Sequence, residues 1–325
     1  MKKINISGPL CPLRENEDMK AHTTFKTGGP AELFAEPAAS GEVETLLREA
    51  RAAGLPVLVT GEGANLLVSD RGVSGLVIST RRLASLFLEK PRERPPVNPR
   101  AGQQETVILR AGAGASISRA AAFAADSGLG GLEFLYSMPG SAGGAVWMNA
   151  RCYGFSVSDV LDSVIFLDAG LALRYADMKE PLFRGGFGYK RSPFQAESSF
   201  ILEAAFCLRP SLPHEAWKKM RAIEEDRRAK GHFAAPSAGS VFKNNRAFGA
   251  PTGEILDGLG FRGRAEGGAR VSPLHANIII NEKNASSSDI RRLIEILQTA
   301  AAEKTGFRLE PEIIYAGDWT GWGAS

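Results

Sequence analysis

Ser137-Met138-Pro139-Gly140-Ser141-Ala142-Gly143-Gly144-Ala145-Val146-Trp147-Met148-Asn149-Ala150 carries the strongest structural signal in this chain. A proline-glycine turn runs through two more glycines into an apolar run. Lacking Cβ, glycine takes positive φ and lets backbone come close to a ligand, so successive N–H groups can converge on a phosphate. A turn packed tightly against a helix is the alternative. A second glycine-rich stretch, Gly61-Glu62-Gly63-Ala64-Asn65, follows the strand-like Val57-Leu58-Val59. Taken alone it is equally an ordinary tight hairpin, and its spacing fits neither the dinucleotide fingerprint nor the P-loop. Two such loops in one chain favour a shared dinucleotide.

Outward from these loops the chain divides into units. Residues 1–20 hold charge and proline without a sustained period and read as a lead-in arm. A Gly28-Gly29-Pro30 turn precedes a strand over 31–36. Ser40 is placed as the N-cap of a helix that Gly54 and Pro56 stop. Buried strand 57–59 and strands at 66–68 and 75–78 complete a βαββ unit over 21–80. A second unit, 81–210, holds a proline-rich excursion at 89–105, strands at 107–109, 163–168 and 200–208, and a helix ended by Gly128. A charged surface helix over 213–230 opens a third unit, 211–318. In it, Ile290, Leu293, Ile294, Leu297 and Ala301 mark one face of a last helix that Gly306 terminates. A strand over 309–315 and a loose tail, 319–325, finish the chain.

Composition sets limits. The chain has 325 residues, 39 Lys+Arg against 36 Asp+Glu, and a net charge of +3, too mild to argue for nucleic acid. Three dispersed cysteines, Cys11, Cys152 and Cys207, have no metal-like spacing and suit a reducing compartment. No apolar run is long enough to span a bilayer, so a cytoplasmic protein without metal or membrane partner is expected.

Gly239-Ser240-Val241-Phe242-Lys243-Asn244 is the candidate for chemistry. Ser240 is a proton donor only if its neighbours assist; otherwise it is a turn serine. Lys243 and Asn244 suit anionic oxygens but equally suit a solvated surface. Glu310 and Glu312 alternate onto one face of the last strand, again with solvation as the plain explanation. His275 is expected to be buried and structural.

Together these segments resemble the UDP-N-acetylenolpyruvoylglucosamine reductases, nearly end to end. The resemblance rests on Thr24-Phe25-Lys26-Thr27-Gly28-Gly29-Pro30-Ala31, residues 61–68, Gly131-Leu132-Glu133-Phe134 and residues 139–150. It continues through residues 238–244, Gly267-Gly268-Ala269, His275-Ala276-Asn277 and Leu309-Glu310-Pro311-Glu312. It implies an α+β protein: a two-part FAD-binding domain of the vanillyl-alcohol-oxidase type plus a C-terminal α+β substrate domain, of the shorter type without insertions. It further implies FAD, NADPH as hydride donor, and UDP-N-acetylglucosamine enolpyruvate as substrate of a monomeric enzyme of peptidoglycan synthesis.

By the same resemblance Gly61, Glu62, Gly63, Ala64, Asn65 and Leu66, with Pro139, Gly140, Ser141, Gly143 and Gly144, hold the cofactor. Ser240 is the proton donor and Glu312 assists at the substrate carboxylate, while Tyr189, Arg191, Lys243 and Asn244 contact substrate. One departure matters. The family pattern is tyrosine-arginine-any-serine, and this chain reads Tyr189-Lys190-Arg191-Ser192. Lysine keeps the charge and loses the bidentate fork. Tyr189 and Ser192 fix the register in favour of Lys190 as the catalytic cation, with Arg191 in a shifted loop as the alternative. Ala64 also replaces a usual serine, Arg151-Cys152 replaces a small pair, and Asn245 replaces a common proline.

Overall fold

The structure, a computed structural model, describes residues 11–89, 106–178, 180, 183, 185–195 and 199–322. Its first sheet has the order β1-β2-β5-β3, built from β1 (Leu13–Asp18), β2 (Pro30–Ala35), β3 (Val57–Thr60) and β5 (Val73–Ser79). β2, β5 and β3 run parallel, and β1 adds an antiparallel edge. The apolar run of β5 is buried at all positions but one, as a strand covered on both faces requires. Residues 13–18, read above as part of an arm, are thus a paired strand.

Helix α1 (Ser40–Ala52) covers this sheet with Val43, Leu46 and Ala50. Its N-cap is Ala39 rather than Ser40, and no side chain caps it. Instead the Glu42 carboxylate turns back to accept from the Ala38 N–H at 2.7 Å. β3 is also not the buried strand that its apolar residues suggest. It lies at the sheet edge, and Val59 is 42% exposed.

The second unit is a sheet of β6 (Leu86–Glu89), β7 (Val107–Gly112), β8 (Leu129–Gly130), β11 (Leu161–Leu167), β12 (Leu173–Asp177) and β13 (Phe200–Pro210). A small hairpin, β9 (Arg151–Cys152) with β10 (Phe155–Ser156), stands apart from it. α2 (Ile117–Asp126) and α3 (Ala142–Trp147) pack against the large sheet. The charged helix α4 (Pro213–Ala229), expected to open the third unit, packs on this same core through Ala216 and Met220. The core of the excursion placed at 89–105 lies outside the described residues.

The C-terminal unit contains a sheet in the order β14-β17-β16-β15, formed by β14 (Ser237–Ser240), β15 (Ala265–Glu266), β16 (Ala269–Val271) and β17 (Ile278–Asn281). A short α5 (Thr252–Gly258) and the long α6 (Ser287–Thr305) complete it. α6 buries Ile290, Leu293, Ile294, Leu297 and Ala301, the face predicted from their spacing, and ends at Gly306 with φ 73°. The final strand is shorter than expected. Only β18 (Ile314–Ala316) is strand, and it pairs in parallel with β4 (Leu66–Val68) of the first unit.

The segment after β18 is held rather than loose as far as Trp322. The Asp318 N–H donates to the Gly72 carbonyl at 2.9 Å. The Arg291 guanidinium lies 4.8, 4.6 and 4.7 Å from the ring centroids of Tyr315, Trp319 and Trp322. No helix among the described residues is long and apolar enough to cross a membrane.

Asp70 ties the first unit to the third. Its carboxylate accepts from the Ser287 and Ser288 N–H groups at 2.8 Å each, donors that the first turn of a helix leaves without a partner. Asp70→Ala is expected to cost about 1–2 kcal/mol of stability, as loss of a helix cap does. Thermal or denaturant unfolding that is unchanged in the variant would show that α6 does not depend on this carboxylate.

Candidate active site

The two glycine loops meet. The 61–65 loop leaves β3, and the 139–144 turn enters α3, whose N-cap Ser141 accepts from the Gly144 N–H at 3.2 Å. Glu62 joins them, its carboxylate accepting from the Gly140 N–H at 2.8 Å. A Cβ on Gly61 would stand 2.1 Å from Ser141 Oγ, and one on Gly63, whose φ is +65°, 2.0 Å from the His22 carbonyl oxygen. Neither position admits a side chain.

The loops supply different things. In the 139–144 turn the Gly140, Ala142, Gly143 and Gly144 N–H groups are already bonded within the protein. In the other loop the N–H groups of Glu62, Gly63, Ala64 and Asn65 have no partner among the described residues. Consecutive free donors on a glycine-bent backbone are the donor set that a phosphate group takes. The Glu62 carboxylate acts as a brace between loops, since a negative charge would repel phosphate.

Both loops line a cavity of ≈ 1240 Å³. That exceeds the roughly 300–1,000 Å³ of a one-ligand pocket and suits a cofactor together with a substrate. Its walls include the apolar Leu55, Val57, Leu58 and Val59, which explains the exposure of β3. Trp147, Met148, Tyr189, Lys190, Ser240, Asn244 and Glu312 line it as well.

The strand ending at Ser240 is fixed from two sides. Asn277 brackets the next residues: its carbonyl accepts from Val241 N–H at 2.8 Å, while its side-chain amide accepts from and donates to the Phe242 backbone at 2.9 Å each. Glu312 N–H donates to the Val241 carbonyl at 2.7 Å. Ser240 and Glu312 therefore sit on adjacent segments facing one cavity.

Lys190 arrives from the second unit. Its Nζ lies 2.5 Å from Glu312 Oε1, with side chains only 12% and 14% exposed. Lys190 has φ +55°, a left-handed conformation rare for a residue with a side chain. Its carbonyl accepts from Gln195 Nε2 at 3.2 Å, and Ser192 Oγ donates to the Trp147 carbonyl at 2.8 Å. This turn sends Lys190 into the cavity and leaves Arg191 exposed, outside the lining. Tyr189 Oη accepts from the Asn244 N–H at 3.2 Å, and Asn244 Oδ1 accepts from Thr252 N–H at 2.9 Å.

Most of the residues expected from sequence thus line one cavity; Arg191 and Lys243 do not. Lys243 pairs with Glu310, which is also outside the lining. The alternation of Glu310 and Glu312 fails because residues 309–313 are not a regular strand.

Sequence reasoning missed a basic wall. Arg227 is 8% exposed, lines the cavity, and keeps its Nε buried without a hydrogen-bond partner among the described residues. On a helix with charge on most faces, nothing marks that arginine as inward. Lys230, His232 and His275 share this wall, so His275 is half-buried at the cavity rather than in the core. Burial, then the Arg227 charge, pushes His232 down to about 4, and burial lowers His275 too. Both imidazoles are neutral at neutral pH. Burial pushes the nearby Cys152 thiol up to about 11, so it stays protonated.

The His232 shift predicts a pH dependence. Below 6.5, the ordinary value, the unfolded chain takes up a proton that folded His232 refuses until about 4. Its contribution to stability is therefore full above 6.5 and declines as pH falls toward about 4. His232→Gln should give a shallower fall in stability across that window. An identical slope in variant and parent would refute the assignment.

Comparison with known proteins follows the same division. Residues 31–170 match the family model for an FAD binding domain, and residues 231–316 match that of the UDP-N-acetylenolpyruvoylglucosamine reductase C-terminal domain. The chain is 40% identical over 313 residues to UDP-N-acetylenolpyruvoylglucosamine reductase of Treponema denticola, covering 93% of this chain and 92% of that one. The reductase of Borreliella burgdorferi is 35% identical over 318 residues, covering 98% and 97%. The crystal structure of UDP-N-acetylenolpyruvylglucosamine reductase from Thermus caldophilus superposes with a TM-score of 0.75 at 27% identity, covering 94% of this chain and 98% of that one. A two-part FAD-binding unit with a C-terminal α+β domain, expected from sequence, is the fold observed. On identity at this level over nearly its whole length, the chain belongs to the UDP-N-acetylenolpyruvoylglucosamine reductase family.

Proposed function

We propose that this chain reduces the enolpyruvyl group of UDP-N-acetylglucosamine enolpyruvate to give UDP-N-acetylmuramate for peptidoglycan synthesis, and that Ser240, Glu312 and Lys190 act on the reacting group. Full-length similarity to the reductases supports the reaction, and the shared cavity of those three side chains supports their roles. The enzyme is an FAD-dependent oxidoreductase with NADPH as hydride source. The free N–H groups at 62–65 and the glycine positions that exclude any Cβ fit the cofactor's diphosphate. Held by the 61–66 and 139–144 loops, FAD would supply the hydride transfer from NADPH to the terminal carbon of the enolpyruvyl double bond.

The protein's part is charge and proton. As hydride adds, negative charge grows toward the substrate carboxylate, and a cation fixed beforehand stabilises it without reorganisation. Lys190 has three donor hydrogens; Glu312 takes one, which leaves others for a substrate carboxylate. Ser240 holds the proton that completes reduction at the adjacent carbon. Tyr189 and Asn244, joined by their hydrogen bond, close the wall against the nucleotide sugar. Lys243 and Arg191 stay outside this arrangement. The chain works as a cytoplasmic monomer without nucleic acid or membrane, in three units. Packing of Ala216 and Met220 on the core of the second unit supports extending that unit past residue 210.

Two measurements separate these roles. Ser240→Ala should leave flavin reduction by NADPH near the parent rate while slowing reoxidation by substrate about 10²-fold or more, the usual contribution of a general acid. Equal loss in both half-reactions would argue against proton donation. Lys190→Ala should slow reoxidation on the order of 10²-fold, as loss of one charge-stabilising group does. Lys190→Arg should retain most of the rate, and Arg191→Ala should change little. A large effect confined to Arg191→Ala would transfer the role to that residue.

A further inference from the structure

Asn65 belongs to the cofactor loop, yet its side chain faces the opposite task. Nδ2 donates to the Glu312 carbonyl at 3.0 Å, and the Asn65 carbonyl accepts from the Ile314 N–H at 2.9 Å. One residue thus holds both sides of Ile313, at the point where β4 and β18 begin to pair. On its other side Glu312 is held by its N–H bond to Val241, the residue after Ser240. Both peptide groups flanking Glu312 are therefore anchored, one to the strand carrying Ser240 and one to the last residue of the glycine loop.

The consequence is geometric. A glutamate carboxylate is carried on two flexible methylenes, so its position follows its backbone, and displacement of a reacting group by an ångström is costly in rate. We propose that Asn65 is a positioning residue for Glu312, setting the distance between that carboxylate and the loop that holds the cofactor. One of its two amide hydrogens is committed to the Glu312 carbonyl, while its backbone N–H stands with those of the glycine loop. Neither alanine nor ionised aspartate can donate here, and glutamine is one methylene too long. This inference rests on the role given to Glu312 above.

The test uses the holoenzyme. Asn65→Ala and the isosteric Asn65→Asp are compared with the parent for flavin content, melting temperature and the two half-reactions. In the flavin-loaded fraction of both variants, reoxidation by the enolpyruvyl substrate should slow on the order of tenfold or more against the parent, and by clearly more than reduction by NADPH does. Equal slowing of both half-reactions in the flavin-loaded protein would make Asn65 a cofactor ligand or a general structural residue and overturn the proposal. A cycle with Glu312→Gln supplies the second reading. If Asn65 acts through Glu312, the double variant reoxidises no more slowly than Glu312→Gln alone. Multiplied losses would overturn it. Should Glu312→Gln by itself reoxidise at the parent rate, the role of Glu312 fails and this inference with it. Should Glu312→Gln be slow and the Asn65 variants fast, only this inference fails.

Discussion

The parallel pairing of Leu66–Val68 with Ile314–Ala316 joins the first unit to the last strand of the chain, and the cavity depends on it. Three residues on each side are a small ladder, yet it is reinforced at every step. Leu67 enters the apolar core of the C-terminal unit, where it meets Ile313 and the buried face of α6. Beyond the ladder, the Ser69 N–H donates to the Ala316 carbonyl, the Ser69 hydroxyl bonds to Asp318, and Asp70 caps α6. Burial of Leu67 and Ile313 resists separation, while the directional bonds fix register. Glu312 precedes this ladder on one strand, and the N–H groups of residues 62–65, without partners among the described residues, precede it on the other. A slip of one residue would invert both.

The ion pair between Lys190 and Glu312 joins the second unit to that frame. Its value for stability is modest at best, because removing two charges from water offsets most of what their attraction returns. In the role proposed for Lys190, its value for chemistry is a cation already oriented where negative charge would develop. The left-handed backbone at Lys190 costs roughly 1–2 kcal/mol per residue with a Cβ. The fixing bonds from Gln195 and Ser192 offset that cost and aim Lys190 rather than its neighbour into the cavity. Strain placed at a functional residue and supported from behind is how a loop delivers one side chain and withholds the next.

Sequence made the scaffold legible where one rule dominates. The spacing of Ile290, Leu293, Ile294 and Leu297 predicts the buried face of α6, and glycines at 61, 63 and 143 predict close backbone approach. It fails where tertiary contacts decide. Val57, Leu58 and Val59 look like core, yet they wall a cavity, because a ligand pocket and a core select the same residues. Arg227 carries no local mark of being inward. Residues 319–322 read as part of a loose tail, and only the packing of Trp319 and Trp322 against Arg291 shows why they are held. Ser240 and Glu312 were legible only through the ordered motifs of the family, since neither spacing nor periodicity brings together residues so far apart in the chain.

Lysine at position 190 follows from this frame. A guanidinium needs a planar approach to its carboxylate, whereas an ammonium presents three donors from a compact centre. With Glu312 held at both flanking peptides and Lys190 turned inward by its backbone, direction is already set by the main chain. In the role proposed for Lys190, a point charge then suffices where a fork would otherwise impose orientation. On that proposal, lysine in place of arginine shifts the task of alignment from the side chain to the backbone of the 188–195 turn and to the anchored segment that carries Glu312.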